Sequence, residues 1–72
     1  MDENLHKKLS ALRTEIAAEK NIHPFLVFHA EAVKQMAIQK PNTLAALMEI
    51  KFVTHSSASK YGKVFLKLIK NN

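Results

Sequence analysis

Lys60, Lys63, Lys67 and Lys70 recur at spacings of three, four and three towards the end of this 72-residue sequence. On an α-helix those spacings bring side chains to one side. A row of ammonium groups there can follow a phosphate backbone, each contact releasing a counterion. An amphipathic helix also needs a polar face, and lysine is its usual filler, so the row has an ordinary explanation as well. Charge distribution tilts the balance. Residues 1–32 hold four basic and five acidic residues, a net of −1, whereas residues 33–72 hold seven lysines against Glu49 alone, a net of +6. A basic half of this kind points to an anionic partner such as nucleic acid.

Phe25 is the second candidate. It lies in His23-Pro24-Phe25-Leu26-Val27-Phe28, where four large apolar residues crowd together without helical periodicity. Such a stretch is expected to wall the core, yet its side chains cannot all face one way. An aromatic left at the surface can stack an unpaired base without sequence preference; the competing expectation for Phe25 is burial. Phe28, Phe52 and Phe65 are assigned to the core because they fall beside other apolar anchors. Tyr61 is assigned a packing role, and Arg13 is expected to pair with a carboxylate if it does not meet a ligand.

Other chemistry is poorly supported. His6, His23, His29 and His55 show no metal-ligand spacing, and without cysteine no thiolate can assist them. His55 and His23 could touch an anion when protonated. Ser56, Ser57 and Ser59 follow His55 directly, with no orienting acid in view, and fit a helix cap better than a nucleophile. Glu15 and Glu19 form an i, i+4 pair on a helix surface, not an acid–base dyad. No catalytic residue, metal or cofactor is expected.

The elements that must position these residues are helical. Leu5, Leu9, Leu12 and Ile16 trace one stripe and predict a helix over about 4–20, ending near Lys20-Asn21. Pro24 forces a break. Ala32, Val33, Met36 and Ala37 predict a second helix closed by Lys40-Pro41, with His29 at a weak cap position. Asn42 or Thr43 caps a short third helix carrying Leu44, Leu47 and Met48. Ser56 or Ser57 starts a brief fourth one ending at Tyr61-Gly62, where the sole glycine serves as left-handed terminator. From Lys63 a last helix turns Val64, Phe65, Leu68 and Ile69 inward.

Composition agrees: the chain is rich in Ala, Leu, Lys and Glu, with one glycine, two prolines and no cysteine. Seventy-two residues make one domain at most and leave little room to enclose an active site. No apolar run reaches the ~20 residues of a membrane span, and Met1-Asp2-Glu3-Asn4 is too acidic for a secretion signal. The expectation is a soluble intracellular protein, or a piece of one.

Taken in order, Leu12-Arg13, Ile16-Ala17, Pro24 with Val27-Phe28, Met36-Ala37, Pro41, Leu47, Ile50, Val53 and Tyr61-Gly62 resemble the HRDC domain. That module is named for its place in RecQ-type DNA helicases and at the C-terminal side of RNase D. The resemblance covers roughly Leu5 to Lys70. It implies a compact all-α bundle of about five short helices, SAM-like and orthogonal. Residues 1–72 would then be a single domain excised from the C-terminal part of a larger helicase whose ATPase motor lies elsewhere. The implied role is auxiliary: holding single-stranded or partly unwound DNA through Phe25, Lys60, Lys63, Lys67, Lys70 and His55, as a monomer in the bacterial cytoplasm, associated with the nucleoid. At Phe25, members that bind single strands can carry an exposed tyrosine; phenylalanine keeps the stacking face.

Two departures stand out. Where family members often carry Gly-Val-Gly, this sequence reads Phe52-Val53-Thr54, and Ser57 stands where a lysine is common. Two glycines that would let backbone amides approach a phosphate are gone. The alternatives are therefore a docking module for the helicase core or a protein partner, favoured by an exposed patch around Phe25, Leu26 and Phe52, and the equivalent RNA-binding domain of an RNase D-type enzyme.

Overall fold

A computed structural model describes residues 2–72, which form four α-helices: α1 (Glu3–Lys20), α2 (Ala30–Gln39), α3 (Leu44–Met48) and α4 (His55–Lys70), with a 3₁₀ turn at Pro24–Leu26. The all-α bundle expected from the sequence is what forms. α1 packs against the 3₁₀ turn, α2 and α4, and α3 packs against α4. No helix among the described residues is long and apolar enough to cross a membrane.

Caps set the boundaries. The Asp2 side chain accepts from the Leu5 N–H, and α1 ends on Asn21 in the left-handed conformation (φ 56°). Each helix that follows opens on a side-chain acceptor as well. His29 Nδ1 accepts from the Glu31 N–H, Thr43 Oγ1 from Ala46, and Thr54 Oγ1 from Ser57. The cap of α4 is thus Thr54, not Ser56 or Ser57; Ser57 supplies the N–H that is capped.

Gly62 does not terminate a helix. α4 runs unbroken through it, and the glycine has no positive φ. Its role is proximity. A Cβ at this position would lie 2.9 Å from Leu44 Cδ1 and 3.1 Å from Leu47 Cδ2, so the missing side chain lets α3 approach α4 closely. The two helices expected either side of Gly62 are therefore one.

The core collects Leu5, Leu9, Ala17, Val27, Phe28, Ala32, Val33, Met36, Ala37, Leu47, Ile50, Ala58, Tyr61 and Phe65, with Leu12, Ile16, Leu68 and Ile69 partly buried against it. Phe28 sits among rings, 4.7 Å from Phe65 and 6.4 Å from Tyr61, both edge-on. Arg13 Nη1 donates to the Phe28 carbonyl at 3.1 Å instead of meeting a carboxylate, which ties α1 to the chain just beyond the 3₁₀ turn.

Three core expectations fail for identifiable reasons. The His23–Phe28 stretch is only half a wall: Val27 and Phe28 are buried, while Phe25 and Leu26 are 55% and 56% exposed, because the 3₁₀ turn points them outward. Val64 is 48% exposed. On a continuous α4 the buried positions are Ala58, Tyr61, Gly62 and Phe65, spaced i, i+3, i+4 and i+7, and Val64 falls outside that stripe. Phe52 is 47% exposed, for a backbone reason taken up below.

Candidate nucleic-acid interface

Because α4 is unbroken, nothing rotates Lys60 away from the other lysines. At 100° per residue the four lie within a strip about 80° wide, and at 1.5 Å per residue they extend along about 15 Å of helix. All four are exposed. The one ion pair found among the described residues joins Lys40 to Asp2 at 3.4 Å, so no carboxylate of the described chain neutralises the row. His55, the first residue of α4, is exposed at the end of the helix nearer Lys60.

Val64 and Leu68 border the lysine strip and, with Leu12, Lys67 and Asn71, line an open apolar groove of about 280 Å³ between α1 and α4. Beyond it, Lys8 Nζ donates to Asn72 Oδ1 at 3.0 Å, and Asn72 Nδ2 donates to Asp2 Oδ2 at 3.3 Å, fastening the end of the chain to the start of α1. The same Asp2 carboxylate has a lowered pKa. The Leu5 N–H it caps, aided by Lys40, holds it below its ordinary value.

Phe25 belongs to a cluster that spacing alone does not reveal. Its ring lies 5.2 Å from His23 and 6.5 Å from His29, edge-on to both. His29 in turn stacks on Phe52, centroids 4.6 Å apart and planes 15° from parallel, and Lys51 Nζ lies 5.4 Å from the Phe52 ring centre. His23, Phe25, His29, Lys51 and Phe52 are all exposed. Both imidazoles are orientated by backbone: His23 Nδ1 accepts from the Phe25 N–H at 3.2 Å and His29 Nδ1 from Glu31 at 3.1 Å, which assigns the neutral-ring proton to Nε2.

Phe52 reaches this cluster through a left-handed backbone, φ 74°. For a bulky residue that is a genuine outlier, costing on the order of 1–3 kcal/mol. The turn carries the ring away from the core to which its apolar neighbours had assigned it. The sequence carries no signal for it, because a left-handed position is normally marked by glycine and this one holds phenylalanine. Tyr61, by contrast, is buried, with Lys20 Nζ 5.9 Å from its ring centre, and serves packing as expected.

The loop that carries Phe52 leads directly into α4, the helix that carries the four lysines. Among the described residues no group of three or more His, Asp or Glu side chains is arranged to hold a metal ion.

Comparison with known proteins gives a consistent result. The HRDC domain family matches residues 2–69. The ATP-dependent DNA helicase RecQ of Bacillus subtilis (strain 168) is 36% identical over 69 residues, covering 96% of this chain and 12% of that protein. RecQ of Haemophilus influenzae is 30% identical over 71 residues, 99% of this chain and 12% of that protein, and RecQ of Pasteurella multocida is 28% identical over 71 residues, 99% and 11%. The chain thus spans about an eighth of the length of the curated relatives it matches.

Proposed function

The chain belongs to the HRDC domain family, and from that premise we propose that it is an auxiliary domain of a RecQ-type DNA helicase that holds single-stranded or partly unwound DNA. The observation that carries this reading is the row Lys60, Lys63, Lys67 and Lys70, exposed along one side of α4 with no acidic partner among the described residues. Phosphates bind the row, each contact adding to the salt dependence. Phe25 holds a base by stacking. His55 adds a donor at the Lys60 end of the row. The domain contributes grip, not chemistry; ATP hydrolysis and strand separation belong to the remainder of the helicase.

Similarity to RecQ segments favours a helicase over an RNase D-type parent. The bacterial relatives fit a domain that works on the chromosome in the cytoplasm. A second reading, docking against the helicase core, draws on the exposed Phe25, Leu26 and Phe52.

The test is a fluorescence-anisotropy titration of the domain against labelled single-stranded DNA at several salt concentrations, with Phe25→Ala alongside. Affinity that falls steeply with salt, and falls again by roughly 5- to 150-fold on losing one base stack, supports DNA holding. No binding at low salt refutes it and favours the docking reading.

A further inference from the structure

We infer that Phe52, stacked on His29 and flanked by Lys51, is a second base-holding position beside Phe25, so that the domain takes two unstacked bases of the same strand. This rests on the nucleic-acid reading above and adds residues to its site.

The backbone supplies the first reason. A left-handed phenylalanine is strained, and strain of this kind persists where function or packing compensates it. Packing does so only in part here. The ring is 47% exposed, and the side chains found against it, His29 and Lys51, are exposed themselves. The twisted backbone places the ring at the surface, stacked on His29 with Lys51 Nζ over it, so a base reaches the ring where the exposed Lys51 side chain gives way.

Geometry supplies the second. The Phe25 and Phe52 ring centres are each within stacking or edge contact of His29, at 6.5 and 4.6 Å, so they can be at most about 11 Å from each other. That separation suits nearby bases of one strand. His29 accepts a backbone N–H at Nδ1, which leaves Nε2–H as the donor it offers to a base edge or phosphate.

Charge selects the occupant. Lys51 stands beside the Phe52 ring, and the half of the chain that contains both carries a net +6. An apolar protein surface has no use for that charge, whereas a base with its phosphate uses ring and ammonium together.

Two substitutions remove the ring and spare the turn: Phe52→Gly, which relieves the strain, and Phe52→Asn, which tolerates left-handed backbone while keeping a Cβ. Each is titrated against labelled oligothymidine and against an abasic strand with the same phosphates, with thermal melts in parallel. Both variants are expected to melt no lower than wild type and to lose roughly 5- to 150-fold in affinity for oligothymidine, with no loss on the abasic strand. If both bind oligothymidine as wild type does, the second position is wrong and the lysine row with Phe25 still stands. Equal loss on both strands makes Phe52 a scaffold of the loop and overturns the inference. If the wild type binds neither strand, the nucleic-acid reading fails and this inference with it.

Discussion

Replacing Lys63 and Lys67 together by glutamine removes two of the four charges on the α4 strip while leaving the helix and its core face untouched, since both side chains are exposed. For single strands the logarithm of affinity falls with the logarithm of salt at about −0.7 per phosphate neutralised, so four contacts give a slope near −2.8 and two a slope near −1.4. Between 50 and 200 mM salt the wild type should then weaken by about 50-fold and the double variant by only about 7-fold. Anisotropy titrations at four salt concentrations across that range measure both slopes. Arginine at the same two positions preserves charge and should preserve the slope. The reasoning is refuted if the glutamine variant keeps a slope near −2.8, because the phosphates would then be held elsewhere, or if arginine flattens it as glutamine does.

Two predictions concern the scaffold. Gly62→Ala should gain about 1 kcal/mol of helix propensity but incur about 1–3 kcal/mol of overpacking. The partly exposed Leu44 can swing aside, whereas Leu47 is fully buried and cannot. A net loss of up to about 2 kcal/mol should lower the melting temperature by several degrees; a higher melting temperature would contradict the close α3–α4 approach. Asp2 has a folded pKa below its unfolded value near 3.8, so its contribution is present above that pH and is lost as pH falls through the folded value. Thermal melts from pH 5 to pH 2 should show Asp2→Asn less stable than wild type at the upper end and converging with it at the lower; a constant gap would mean that the carboxylate charge is irrelevant.

Much of this fold was legible because it rests on periodicity. The stripes Leu5–Leu9–Leu12–Ile16 and Ala32–Val33–Met36–Ala37 are core or core-adjacent as their spacing required, and Pro24 breaks the chain where its ring must. Gly62 was misread because a glycine near a helix end and a glycine at a helix crossing look alike in sequence. Only the position of Leu44 and Leu47 across the gap distinguishes them, and that is a tertiary fact. Val64 was misplaced as a consequence, since ending one helix at Gly62 and starting another resets the phase of everything after it. Continuity of α4 also put Lys60 in line with Lys63, Lys67 and Lys70, a registration the sequence could state only conditionally.

Phe52 is the residue at which local rules and structure disagree most, and the disagreement has a direction. Apolar character, position after Ile50 and proximity to Val53 all argue for burial, and a domain of this size has little stability margin to forgo. The chain instead adopts φ 74° at position 52 and leaves the residue 47% exposed against His29. Consistent local choices are what specify a fold, and the exception at Phe52 is what the proposed second base-holding position accounts for. The exposed phenylalanines are also the two within contact distance of His29, whose own Nδ1 is occupied in capping α2. Capping α2 holds the imidazole in place, the imidazole backs Phe52, and the loop that presents Phe52 leads directly into the helix that carries the lysines. The same helix start that stabilises the fold thus fixes the surface on which the proposed base contacts would be made.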